Sequence, residues 1–232
     1  MKSLIKTTFK SVSLALLFAC TAGMAHAREM SQSMGSSEMR DTMGAKELPY
    51  IIPEKPEDIS PLLNGEKIPV AMLPDASGKK VDLNKAVSEK PTVLVIYRGG
   101  WCPYCSRQLS GLQQAAPELE KMGYQLIAIS TDAPAGLRES AAKEKLSYTL
   151  LSDADLRLSR QLGIAFKAPK AYWGMLPKTT DGKDSDLLLP VPSVFILDKS
   201  GVIHFEYINP DFRQRLNPDL LRAAAASIKK DL

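Results

Sequence analysis

The sequence predicts an α/β domain with a mixed central sheet flanked by helices, and three observations carry that expectation. Apolar runs of strand length alternate with segments of helical period. The central runs are apolar at consecutive positions, as strands covered on both faces require. Ahead of them lies a hairpin signal, two short strand-like runs around Asp75-Ala76-Ser77-Gly78.

In chain order, residues 1–27 come first as an export signal. Lys2, Lys6 and Lys10 form a positive start, 12–18 a short apolar core, and Ala25-His26-Ala27 a small-residue cleavage site. The apolar stretch is far shorter than the ~20 residues of a spanning helix. The sequence therefore predicts an exported, periplasmic protein. Cys20, at the end of the apolar core, is the alternative, a lipid attachment point and the one route by which the sequence places the protein on a membrane. Without the signal, Lys and Arg fall from 30 to 27 against 26 Asp and Glu, and the formal charge drops from +4 to +1. No charge argument for nucleic acid survives that subtraction.

Residues 28–47 are polar, lack aromatics and hold Met30, Met34, Met39 and Met43, so they read as a flexible Met-rich linker. The domain is expected over 48–232. Strand-like runs at 68–73 and 80–83 give the hairpin, and 92–97 a buried strand. Residues 103–121 place Leu109, Leu112, Ala116 and Leu119 at helical spacing, with Gly123 as the stop. A strand at 124–130, a helix at 134–146, a strand at 148–151 and a helix at 155–162 continue the alternation. Residues 167–191 break it, and an irregular surface insertion is expected there. Its Tyr172, Trp173 and Leu176 make it a cover for the site, a contact between copies or a plain loop. Strands at 193–197 and 202–207 and a helix at 218–230 complete the chain.

The chemistry lies in Trp101-Cys102-Pro103-Tyr104-Cys105, where the buried strand meets the helix. Zinc needs Cys, His or carboxylate ligands in threes or fours, and the chain past the signal offers two cysteines and His204. His204 alternates with inward-facing Ile203 and Phe205, so it reads as a half-exposed strand residue. A staple is no better, because a disulfide closing so short a loop removes little chain entropy. A nucleophile fits the position. Pro103 suits the first helical residue, where its missing N–H is no loss. Cys102 would then meet the positive end of the helix dipole, which lowers a thiol pKa. Cys105, one turn on and inward, stays protonated until it resolves a mixed species at Cys102.

This stretch resembles the thioredoxin-fold active site. Trp101 stands where thioredoxins carry a tryptophan, and Pro103-Tyr104 is the dipeptide of glutaredoxins. The wider chain resembles the alkyl hydroperoxide reductase/thiol-specific antioxidant group, in its peroxiredoxin-like members with a strand ending Tyr-Arg-Gly-Gly-Trp-Cys-Pro-Tyr-Cys. LLNGEKIPVAMLPDASGKKVDL and VPSVFILDKSGVI resemble that group's opening hairpin and late strand pair. The resemblance spans about 58–230 and implies a thioredoxin-like fold with an N-terminal β-hairpin extension. It implies that Cys102 and Cys105 form a redox disulfide, with no cofactor. Pro192 stands where thioredoxin-fold proteins have a cis-proline beside the cysteines. Arg98 is placed to hold the thiolate or polarise a peroxide oxygen, or else to cap the strand at the surface.

Three departures from the group bear on activity. Val95 and Gly99 occupy positions where peroxiredoxins typically have Pro and Thr or Ser, and 191–197 lacks their usual arginine. The expected function is peroxide reduction by a Cys102 thiolate resolved by Cys105, with an external dithiol as reductant. Protein disulfide exchange is the alternative, and a periplasmic Cu(I)-binding protein using the cysteines and the methionines is a reading of another class.

Overall fold

The computed structural model describes residues 51–232. The export signal, Cys20 and the Met-rich linker lie outside the described residues.

Antiparallel β1 (Met72–Pro74) and β2 (Lys80–Asp82) form the opening hairpin, with Met72 facing Asp82. Asp75 closes its turn, accepting from the Ser77 hydroxyl and from the Ser77 and Lys79 amides. Helix α1 (Leu83–Glu89) follows directly, a short element not expected from the sequence. The Asp82 side chain caps it by accepting from the Lys85 amide, and Leu83 and Val87, four apart, face inward.

Among the described residues the main sheet has five strands. Strand β3 (Thr92–Tyr97) runs parallel to β4 (Gln125–Ser130), which runs parallel to β5 (Thr149–Ser152). On its other side β3 is antiparallel to β8 (Ser193–Leu197), and β9 (Ile203–Ile208) closes that edge. The sheet is therefore mixed. Its connections run through α2 (Pro103–Lys121), α3 (Pro134–Glu144) and α4 (Arg157–Gln161), and α6 (Pro218–Ile228) follows β9.

The continuous apolar runs have a direct cause. Val93, Val95 and Tyr97 point into one core with Leu109, Leu112 and Leu119 of α2 and Leu221 of α6. Leu94 and Ile96 point the other way, into a core with Leu83, Val87, Leu158 and Leu162. Each strand residue is buried because each face of the sheet is roofed.

The 167–191 segment is more ordered than an irregular insertion. Its base is an antiparallel pair, β6 (Ala165–Lys167) with β7 (Leu188–Pro190), and between them lies α5 (Leu176–Thr179). Leu176 is fully buried against Phe166, Leu189 and Val191, a small core of the segment's own. Among the described residues no helix is long and apolar enough to cross a membrane.

Candidate active site

Strand β3 ends at Tyr97, and five residues later the chain enters α2. Cys102 is the cap residue of that helix and Pro103 its first residue, as expected. The turn between them is held from beneath by the end of β4. The Thr131 hydroxyl donates to the Arg98 carbonyl at 2.8 Å, and the Asp132 carboxylate accepts from the Gly100 amide at 2.7 Å. Burial pushes the Asp132 carboxyl up to about 6, although the Gly100 amide and the Ser130 hydroxyl oppose it.

The two glycines are there for space. A Cβ on Gly99 would lie 2.2 Å from Trp101 Nε1, at a φ of +151° that side chains avoid. A Cβ on Gly100 would lie 1.9 Å from Ser140 Oγ. The turn is thus packed on α3 and on its own tryptophan.

The two thiols are both free and buried, Cys102 2% exposed and Cys105 fully enclosed. Cys102 is drawn down to about 5. The largest cause is a hydrogen bond from the Cys105 thiol; the Cys105 and Tyr104 amides and the Arg98 charge add to it, and burial opposes. The helix terminus, the leading influence expected from the sequence, is thus secondary: the neighbouring sulfur leads and the first-turn amides help. Cys105 moves the opposite way, well above an ordinary thiol, because it is buried and because it shares its proton with the Cys102 thiolate. Arg215 opposes that rise, with Nη2 3.4 Å from Cys105 Sγ.

Arg98 is no surface cap. It is 3% exposed, and its guanidinium lies 5.1 Å from the Trp101 ring, 4.5 Å from Tyr172 and 4.4 Å from Phe212. Its Nε bonds to nothing among the described residues. Trp101 and Tyr172 themselves pack at 5.5 Å, so the 167–191 segment contributes directly to the site. Pro192 precedes Ser193, which pairs with Ile96, and it lines a cleft of about 400 Å³ with Arg98, Phe166, Tyr172 and Phe212. Arg98, Trp101 and Pro103 therefore flank Cys102 in the turn and first helical residue, while Pro192 shares only the cleft with Arg98. His204 stays half-buried on β9, 3.2 Å from Asp198 and apart from this group. Among the described residues no set of three or more His, Cys, Asp or Glu is placed to hold a metal ion.

Sequence reasoning missed Asp132, Phe212 and Arg215. Asp132 lies two residues past the end of buried strand β4, where the rule that ligands and sites collect at strand ends could have marked it. Phe212 and Arg215 sit in the 209–217 connection between β9 and α6. Phe212 touches Arg98 and, edge-on at 5.5 Å, Tyr104.

Comparison with known proteins gives this geometry a family. The AhpC/TSA family pattern matches residues 64–206. Peroxiredoxin Bcp of Escherichia coli K12 is 32% identical over 163 residues, covering 70% of this chain and 95% of its own. The chloroplastic peroxiredoxin Q of Gentiana triflora is 30% identical over 145 residues, 62% of this chain and 58% of its own. Among solved structures, peroxidoxin BcpB from Mycobacterium tuberculosis aligns with a TM-score of 0.59 at 21% identity, over 71% of this chain and 97% of its own. Reduced Prx3 in complex with H2O2 from Vibrio vulnificus aligns with a TM-score of 0.60 at 18% identity, over 71% and 99%. At those identities the two structures speak for the fold. With the family pattern spanning well over half of the chain on that thioredoxin-like fold, the protein is a peroxiredoxin-like member of the AhpC/TSA family.

Proposed function

We propose that the protein is an exported thiol peroxidase in which Cys102 attacks and Cys105 resolves. The observation that carries this reading is the proton shared between the two sulfurs, which leaves Cys102 near a pKa of 5 and ionised at neutral pH. The thiolate attacks the terminal peroxide oxygen, the O–O bond breaks, and an alcohol or water leaves with a proton, so that Cys102 becomes a sulfenic acid. Cys105 then attacks that sulfur, hydroxide departs as water, and a Cys102–Cys105 disulfide remains. An external dithiol returns the pair to the thiols.

Arg98 takes the part that a hydroxyl at position 99 plays elsewhere in the group. Position 99 cannot carry that hydroxyl here, since Trp101 occupies the space of a Cβ. The buried Arg98 Nε is a donor without an acceptor, suited to the oxygen on which charge develops as O–O breaks. Export rests on the features of residues 1–27; in cell fractionation, an extracytoplasmic protein with its mature terminus at Arg28 is the expected outcome, and a full-length cytosolic chain would reject export.

Disulfide exchange remains the second reading, favoured by Pro192 at the wall of the 400 Å³ cleft. Stopped-flow fluorescence of the reduced protein separates the two, with Trp101 against Arg98 as reporter. Faster oxidation by hydrogen or alkyl peroxide than by a model disulfide is expected. Equal or slower oxidation by peroxide defeats the peroxidase reading.

A further inference from the structure

The family pattern ends at residue 206, yet the connection beyond it reaches the cysteines. Arg215 lies 110 residues from Cys105 in sequence and places Nη2 3.4 Å from its sulfur. Arg215 Nε is buried and bonds to nothing among the described residues, and the side chain lines a cleft of about 350 Å³ with Tyr104 and Gln108.

We propose that Arg215 is a catalytic residue of the resolving half-reaction, stabilising the Cys105 thiolate as it attacks the oxidised Cys102. The proposal rests on the peroxidase reading above and adds a role for a residue outside the matched span. Three influences keep Cys105 protonated in the reduced pair: burial, its hydrogen bond to Cys102 and the negative charge on Cys102. Peroxide attack turns that thiolate into a neutral sulfenic acid and so removes the charge. Burial remains to oppose ionisation, and the Arg215 guanidinium favours it. The Cys105 proton leaves with the departing hydroxide as water, the new bond is S–S, and the bond broken is S–O.

The effect has a predictable size. For a thiol far above ambient pH, each unit of pKa changes the thiolate fraction about tenfold, while nucleophilicity moves the other way by roughly threefold. Loss of the charge-assisted Arg215 contact raises the Cys105 thiol further and is therefore expected to slow resolution, by roughly tenfold for a contact of that strength.

The test is two-phase stopped-flow fluorescence with H2O2 on the full mature chain, carrying Arg215→Met or Arg215→Lys, across pH 6–9. Dimedone trapping reports the sulfenic acid. In Arg215→Met the second phase is expected to slow about tenfold relative to the first, with its pH profile displaced upward and more sulfenic acid trapped. Arg215→Lys, which keeps a positive charge, is expected to recover part of the rate. An unchanged ratio of phases in Arg215→Met overturns the proposal. So does an Arg215→Lys as slow as Arg215→Met with an undisplaced pH profile, which marks a packing role alone. If the unsubstituted protein forms no Cys102–Cys105 disulfide with peroxide, it is the peroxidase reading that has failed, and this proposal goes with it.

Discussion

The mouth and the floor of the first turn of α2 each hold a sulfur, and each sulfur answers to an arginine, yet the two arginines act on different quantities. At the mouth, Cys102 already sits near 5, so at pH 7 its ionisation is almost complete and a further charge adds little thiolate. On the proposed peroxidase reading, Arg98 therefore matters for the peroxide oxygen rather than for ionising the sulfur. At the floor, Cys105 is held well above an ordinary thiol, so ionisation itself is scarce there and Arg215 acts on it directly. The difference teaches that one hydrogen bond between two thiols creates both an anion and a reserve of protonated sulfur. The surrounding charges then divide the work.

The sharpest way to break that division is to remove one sulfur at a time. Cys102→Ser should abolish peroxide consumption in a dithiothreitol-driven assay. Cys105→Ser should still complete one oxidation and stop with a dimedone-reactive sulfenic acid at Cys102. If Cys105→Ser instead fails to react and Cys102→Ser reacts, the roles of mouth and floor are reversed.

A smaller effect is expected for Arg98→Met, a fall of about 10²-fold in the peroxide rate constant, the usual scale for losing a donor to a developing oxyanion. Iodoacetamide alkylation of Cys102 at pH 7 should barely change, because its thiolate remains the dominant form. Equal losses in both rates would mean that Arg98 works by ionising the sulfur, and the contrast with Arg215 would collapse.

Asp132 grips only the mouth, through the Gly100 amide, and its titration sharpens the picture. Its folded pKa of about 6 lies above the ordinary 3.8, so the fold favours the protonated carboxyl. That contribution is fully present below about pH 4 and is lost as pH rises through about 6, an effect on the order of 3 kcal/mol. Asp132→Asn keeps an acceptor for Gly100 and carries no charge. Its stability relative to the unsubstituted protein, from urea midpoints, should therefore improve between pH 4 and pH 8, and a constant difference would contradict the argument.

The smallest expected effect is steric. Gly100→Ala forces a Cβ against Ser140 Oγ and should cost about 1–3 kcal/mol in thermal or urea unfolding. Adding Ser140→Ala should recover most of it, leaving the nearest contact at the Ser140 Cβ, 3.2 Å away. Failure of that second change to help would mean that the turn is constrained by something other than α3.

The mouth was legible in the sequence because its signals are local. A continuous apolar run ends in Arg98-Gly99-Gly100, a proline opens the helix, and the cysteine between them has one place to be. Helix α1 was missed although Asp82 and the Leu83/Val87 spacing announce it, since a seven-residue element shows barely two periods. Strands β6 and β7 are three residues each and pair across a long gap, so neither has a pattern of its own. The floor is the extreme case. Arg213 and Arg215 flank one glutamine, and Arg213 turns outward to Asp211 while Arg215 turns inward to Cys105. Nothing in the local sequence separates them, because the choice is made by a helix 110 residues away.

The aromatic ring of Phe212 lies 4.4 Å from the Arg98 guanidinium and edge-on to Tyr104, and three residues on the same strip of chain delivers Arg215 to Cys105. On the proposed cycle, both half-reactions would thus draw on one short latch between β9 and α6. To pull that latch away would disarm the attack on peroxide and the repair step together, so the enzyme would fall silent without stranding a half-oxidised sulfur.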